Sequence, residues 1–544
     1  MGNLKRLIKS SYEPLISIDR NGGRFAILDF EDISFNHHNM FSSLPESVID
    51  KTTLGLIQVA DLHKAVNHAK TVIGSSTLFR SLMQPPTSLQ LISAKQESLR
   101  ELENNDKLRN SIEDYLGEIK NGELDLFKFI YGEMGDSFSS YRIFKDAMKA
   151  GKNISNATRN IPLPESKYLS ILVEDIKNFG ESGLYRLMRG PIYKTSKGLK
   201  SKEDIKFYTP RLKFIPRQFT LFNSSPHLAL GGLITGVQTG LIENGEHLIA
   251  PTMGIIPLSL MSFLYSNYLK PMFDYNRFIK PLRKKTIGDY DFNLAIDSVG
   301  KLDELLSFTE FRKAMPHDTV IPKITDEESH YFMAKNLRNP IQAKSNKKYV
   351  PNEVNLNGSR LTFITGPNSG GKTTYCKSII QNQILGQIGG YVVASDANIN
   401  LADRIAYQAP MFDSLQDEEG RFGTELKRTK DIFYNITPKS LVVLDELAEG
   451  TTIEEKLKQS YVILNGFHTI GNNTILVTHN HELVELFKDK ERGQYLQVQF
   501  DGKKPTHKLA YGISKESHAE RIAEKIGFAE KDIETYLSKR GYKN

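Results

Sequence analysis

One short stretch constrains this chain more than any other: Gly366-Pro-Asn-Ser-Gly-Gly371-Lys372-Thr373, set between the apolar run LTFIT and the helix-forming run TTYCKSIIQNQIL. A glycine-rich turn that leaves a buried strand and opens a helix aims backbone N–H groups at one point, backed by the positive end of the helix dipole. Its spacing is that of a phosphate-binding loop. It predicts that Gly366, Pro367, Asn368, Ser369, Gly370, Gly371, Lys372, Thr373 and Thr374 bind a nucleotide. Lys372 then reaches the β- and γ-phosphates, and the Thr373 hydroxyl sits on Mg2+.

Two further strand ends fit the same site. In Leu441-Val-Val-Leu-Asp445-Glu446 four apolar residues deliver two carboxylates to the C-terminal end of a buried strand, where open α/β sheets bind ligands. Asp445 is expected to hold Mg2+, and Glu446 to orient and deprotonate an attacking water. Thr474-Ile-Leu-Val-Thr478-His479 is another such strand, and His479 at its tip is placed to sense the γ-phosphate. Either element alone is common; their order after the loop gives them weight.

The rest of the chain divides by texture. Residues 1–49 read as a short lead-in with alternating apolar stretches. Residues 50–328 carry apolar positions at three- and four-residue steps, the pattern of long helices. Pro85 and Pro86 stop the first helical run, and Ser88 is a candidate cap for the next. From residue 329 to 544 strand and helix patterns alternate, with RLTFIT, GGYVVAS, SLVVLDE, NTILVTH and YLQVQF as the strands. The fold class expected is therefore α plus α/β, an elongated helical region followed by a domain with a mainly parallel sheet. A chain of 544 residues with 71 Lys and Arg against 64 Asp and Glu is mildly basic, at a net +7, which is compatible with a polyanionic partner. The single cysteine, Cys376, excludes an internal disulfide framework and a cysteine-built zinc site, and suits a reducing compartment. The first residues lack the apolar run of an export signal, so a cytoplasmic location is expected.

Phosphate loop, Asp-Glu strand and strand-end His is the order of the ABC-type ATPases. GPNSGGKTT resembles the phosphate loop of the MutS mismatch-repair family. DEEGRFGTELKRTKDIFYNITPKSLVVLDELAEGTT resembles that family's signature segment running into its carboxylate strand, and LADRIAYQ and PNEVNL resemble two neighbouring segments. The run from TTLGLIQVADL to QESLREL resembles the start of the family's core and lever helices. The resemblance spans roughly 50–190 and 300–530.

It implies a helical core and lever, an ABC-type ATPase domain, ATP and Mg2+ as cofactors, and DNA as partner through mismatched or branched duplex. It also implies a homodimer through the ATPase domain, in which Gly420, Arg421, Thr424, Glu425, Thr451 and Thr452 lie near the partner's nucleotide. Two departures imply slower hydrolysis or altered coupling: Gly420-Arg421 replaces the usual opening serine, and Glu449 replaces an arginine. Residues 1–49 are too few for the family's mismatch-reading domain, so a divergent member without it is expected.

The insertion at 186–285 holds two basic stretches around the most apolar segments of the chain, Phe219–Ile242 and Leu248–Leu269, joined by the acidic ENGEH. Three readings stand. The lysines and arginines contact DNA phosphates at the lever tips. Alternatively, residues 219–269 form a membrane-spanning hairpin, in a membrane-anchored relative that acts as a scaffold or remodelling factor without reading lesions. In the third reading they form a buried helical hairpin or dimer contact.

Overall fold

The computed structural model describes residues 48–131, 138–201, 209–212, 269–367, 370–410, 420–447, 453–502, 504–514 and 526–542, with Leu4, Ala523 and isolated residues between 231 and 265. Most of the lead-in, most of 219–269, Asn368, Ser369, Glu449, Thr451 and Thr452 therefore lie outside the described residues. Among the described residues, no helix is long and apolar enough to cross a membrane.

Two compact units interleave along the chain. One takes residues 1–32, 69–77 and 100–306; the other takes 33–68, 78–99 and 307–544.

The expected first helical run is three helices, α1 (Lys51–Leu56), α2 (Val59–Val66) and α3 (Val72–Met83). Gln58, in the left-handed region at φ 59°, makes the first break. The second falls at Asn67–Thr71, where backbone N–H groups turn to side chains. His68 N–H donates to Ser307 Oγ at 2.8 Å, and Thr71 N–H to Asp303 Oδ2 at 2.8 Å. The next run also divides, into α4 (Leu89–Asn104) and α5 (Asp106–Tyr131). Asn105 causes it: its side chain caps α5 by accepting from Leu108 N–H at 3.0 Å. Ser88 accepts weakly from Leu91 N–H, at 3.4 Å, at the start of α4.

The first unit is built on α5, α6 (Phe138–Asn156), α7 (Lys167–Phe179), α8 (Gly183–Arg189), α9 (Lys270–Asp274), α10 (Lys280–Ile287) and most of α11 (Tyr290–Ala314). A π-helical turn, Tyr275–Ile279, joins α9 to α10. Gly122 lets α5 meet α6 closely, since a Cβ there would stand 2.6 Å from Cβ of Ala150. Phe179 packs edge-on to Phe292 at 5.5 Å. Within the basic stretch lies a small antiparallel sheet, β1 (Ile192–Thr195), β2 (Gly198–Lys200) and β3 (Arg211–Leu212), which helical periodicity does not reveal. Lys197, Lys200 and Arg211 are exposed on it.

The second unit holds two sheets. The larger has the order β13–β12–β7–β11–β10–β9, formed by β7 (Leu361–Thr365), β9 (Ile405–Gln408), β10 (Leu441–Asp445), β11 (Asn473–Val477), β12 (Gln494–Asp501) and β13 (Lys504–Tyr511). All neighbours are parallel except β12 and β13. The apolar runs of β7, β10 and β11 are buried, as strands covered on both faces require. Phe363, Leu444, Leu464, Phe467, Leu476 and Phe487 form the core beside them. The smaller sheet, β4 (Lys323–Thr325), β8 (Asp396–Asn400), β5 (Phe332–Leu337) and β6 (Asn352–Asn355), is mixed. Helices α12 (Pro340–Ser345), α13 (Lys372–Gln387), α14 (Gly420–Tyr434), α15 (Ile453–Ile470), α16 (His481–Lys488) and α17 (Glu530–Lys539) complete the elements.

The architecture is thus α-helical plus mixed α/β. One expected strand is absent: GGYVVAS is not extended in a ladder, and DANIN after it is β8 instead. Its backbone groups find scattered partners instead: the Val393 carbonyl accepts from Arg338 N–H at 2.9 Å, Ser395 N–H donates to the Lys335 carbonyl at 3.0 Å, and α13 adds one side chain. Val393 N–H donates to Asn382 Oδ1 at 2.8 Å, and only Val392 makes an isolated bridge, to Val320. Gln381 and Gln383 likewise donate to the carbonyls of Ile57 and Asn400, so α13 is sewn in by buried amides on several sides.

Candidate nucleotide-binding site

The buried strand β7 ends at Thr365, and the chain turns through Gly366 (φ 129°) and Gly371 (φ 91°) into α13. Space as well as backbone angle demands glycine here. A Cβ on Gly366 or Gly370 would stand 2.8 or 2.5 Å from Cγ2 of Val498 on β12. Pro367 precedes the two undescribed loop residues, and its carbonyl accepts from Gly370 N–H at 3.0 Å. Lys372 is the first residue of α13 and almost fully buried, and its Nζ donates to the Gly366 carbonyl at 2.5 Å. Burial pulls its pKa below the ordinary lysine value, while the carboxylates of Glu446 and Asp445 oppose that pull. Thr373 is exposed and Thr374 half-buried, one and two residues into the helix.

β10 brings its carboxylate to this point. Thr373 Oγ1 donates to Asp445 Oδ2 at 2.9 Å. Glu446 follows in the left-handed region at φ 64°, a strained backbone for a residue with a Cβ. Its N–H is tied to the Val477 carbonyl of β11 at 2.9 Å. The Glu446 side chain lies at the tip of β11. There Oε1 accepts from His479 N–H at 3.1 Å and lies 3.7 Å from His479 Nε2, and Thr478 Oγ1 donates to Oε2 at 3.4 Å. The expected residues from β7–α13, β10 and β11 therefore converge at the C-terminal end of one parallel sheet.

The oxygens of Thr373 and Asp445 are the hard donors Mg2+ prefers, and two protein oxygens are typical where phosphates and water complete its shell. Among the described residues no group of three or more His, Cys, Asp or Glu stands ready to hold a metal by itself.

Three residues near the site escaped sequence reasoning. Tyr407, at the end of β9, donates its hydroxyl to Asp445 Oδ2 at 3.2 Å. Lys456, in the first turns of α15, places Nζ 3.8 Å from Glu446 Oε2. His507 of β13, itself at φ 61°, lies beside Gly371, with Nδ1 3.5 Å from where a Cβ would stand. A signal for Tyr407 exists in the parallel register of β9 and β10, which pairs it with Val443, but the neighbour order was needed to use it. Gly420 opens α14, Thr424 is half-buried and Glu425 buried.

Residues 362–538 match the family model described as MutS domain V. Over 545 aligned residues the chain is 22% identical to the DNA mismatch repair protein MutS of Methanosarcina acetivorans, covering 91% of this chain and 60% of that protein. It is 30% identical over 286 residues to the DNA mismatch repair protein MSH3 of Vanderwaltozyma polyspora, covering 49% of this chain and 26% of the relative. It is 32% identical over 242 residues to MutS of Shouchella clausii, covering 43% and 27%. The chain thus spans at most 60% of the length of these relatives.

Proposed function

The chain belongs to the MutS family, and from that premise we propose that it is an ATP-dependent DNA-binding protein acting on mismatched or branched duplex. ATP binding closes two ATPase heads of a homodimer, the helical region carries that movement to the DNA, and hydrolysis resets it. One observation carries the proposal: Thr373 with Asp445, and Glu446 with His479, meet at 2.9 and 3.1 Å at one end of the sheet that also bears Lys372.

In this reading the backbone of 366–371, with Asn368 and Ser369, cradles the phosphates. Lys372 binds their terminal oxygens, helped by burial that strengthens its electrostatics. Thr373 and Asp445 hold Mg2+, which offsets phosphate charge. Glu446, fixed by its backbone and by His479 N–H, orients water and accepts its proton, and His479 faces the γ-phosphate. The ATPase is Mg2+-dependent, and slow given Gly420 and Glu449. The working division is a lead-in at 1–49, a helical core and lever at 50–328 and the ABC-type ATPase domain at 329–544, in a cytoplasmic protein. Exposed Lys197, Lys200 and Arg211 suit sequence-independent phosphate contacts.

The test is a binding titration of the full chain against homoduplex, mismatched and branched DNA, with and without ATP, at two salt concentrations. Tighter binding to mismatched or branched DNA, changed by ATP and weakened by salt, is expected. Equal affinity for all three duplexes with no response to ATP would refute the proposal.

A further inference from the structure

Asp445 does not stand alone at the end of β10. Its Oδ2 accepts two hydroxyls, from Thr373 at 2.9 Å and from Tyr407 at 3.2 Å, while Oδ1 accepts no hydrogen bond among the described residues. One oxygen of the carboxylate is thereby engaged by two protein hydroxyls, and the other keeps its lone pairs for a ligand.

Tyr407 is itself held unusually firmly. It is among the largest fully buried side chains of the molecule. Its N–H donates to Thr53 Oγ1 at 2.9 Å, and its carbonyl accepts from Arg428 Nη2 at 3.4 Å. Arg428, on α14, reaches both oxygens of Asp50 at 2.8 and 2.9 Å and Thr53 Oγ1 at 3.2 Å. Thr53 Oγ1 donates in turn to Asp50 Oδ2 at 2.9 Å. Burial tends to raise the Asp50 carboxyl, but Arg428 and the Thr53 bonds outweigh it and keep the group below its ordinary value, so the clamp is ionic at neutral pH. The backbone of Tyr407 is therefore tied to α1 and α14, its ring is buried, and its hydroxyl reaches Asp445.

We propose that Tyr407 is a positioning residue that orients Asp445 toward Mg2+, with Arg428, Asp50 and Thr53 holding it in register. This rests on reading the site as one for Mg2+ and ATP. A group that orients a metal-bearing carboxylate without touching the metal governs metal affinity, not nucleotide affinity in the metal's absence.

Tyr407→Phe keeps the ring and removes only the donor. The full chain is titrated with Mg2+ while binding of a fluorescent ATP analogue is followed, and Mn2+ binding to the nucleotide-loaded protein is measured by electron paramagnetic resonance. The expected result is an apparent affinity for either metal lower by about tenfold, with nucleotide binding in EDTA and the metal-free melting temperature unchanged. In an Asp445→Asn background the same change should shift metal affinity no further, because its effect runs through that carboxylate. Unaltered metal affinity in Tyr407→Phe, or an equal loss in the Asp445→Asn background, would overturn the proposal while leaving the ATP site intact. Wild-type protein whose nucleotide binding ignores Mg2+ would overturn both.

Discussion

Asp303 and Asp445 are both aspartates that accept a threonine hydroxyl, and the two units use them in opposite ways. In the helical unit Asp303 is fully buried. Its Oδ1 accepts Lys70 N–H at 3.0 Å, and its Oδ2 accepts Thr71 N–H at 2.8 Å and Thr71 Oγ1 at 2.6 Å, capping the start of α3. The fit is so close that a Cβ on Gly74 would lie 2.2 Å from Oδ2. Asp445 is half-buried, and one of its oxygens keeps its hydrogen-bonding capacity in reserve. A carboxylate spent on backbone donors stabilises a helix start. One held by side-chain hydroxyls at an open sheet end is ready for a ligand. Residue type does not separate these uses; what the neighbours leave unspent does.

The largest effect that tests this contrast is expected at Lys372. Lys372→Ala should cost about 4 kcal/mol of nucleotide binding, because it removes a buried charge aimed at an anion. Isothermal titration with ATP checks it. Unchanged affinity would make the loop a structural turn and erase the difference between the units.

A second, smaller effect belongs to the helical unit. Glu123 also caps α3, with Oε1 accepting from Ile73 N–H at 2.9 Å. Burial pushes its pKa up from 4.5 to about 7, against the pull of the Ile73 and Val72 N–H groups and with a push from Asp303. The folded state therefore binds a proton more tightly than the unfolded chain between those values. Stability from this group is complete below about 4.5 and is lost as pH rises through about 7. Glu123→Gln should remove that loss. The stability of wild type relative to Glu123→Gln, from urea unfolding at pH 5 and 7.5, should then fall by about 2 kcal/mol across the interval. A pH-independent difference would show Glu123 fully ionised throughout, and so more like the site carboxylates than the comparison allows.

How far the sequence discloses this follows from the reach of each signal. The loop, the Asp-Glu strand and His479 are local: a few consecutive residues specify a strand end and its chemistry, and they converge in space. The register of β9 against β10 is non-local, so Tyr407 was visible in LADRIAYQ without its role. Helix breaks at Gln58 and Asn105 and the irregular path of GGYVVAS were hidden for the same reason, since apolar periodicity does not see a left-handed residue, a cap or the amides of α13. The left-handed Glu446 has no composition signature at all; it depends on Val477 accepting its N–H.

The smallest effect concerns Lys456. Its Nζ is 3.8 Å from Glu446 Oε2, beyond hydrogen-bond distance, and the lysine side chain is about a fifth exposed, at 21%. Glu446 is held in addition by its own backbone angle and by His479 N–H, neither of which involves the lysine. Glu446 is only 10% exposed, so it is the length of the pair, beyond hydrogen-bond reach, rather than solvent that keeps its part in orientation small. Lys456→Gln should therefore change steady-state ATP turnover by about fivefold or less, measured as phosphate release at saturating Mg2+. A much larger change would mean that the start of α15 governs the general base directly. The open sheet end would then depend on a long-range charge as strictly as α3 depends on Asp303.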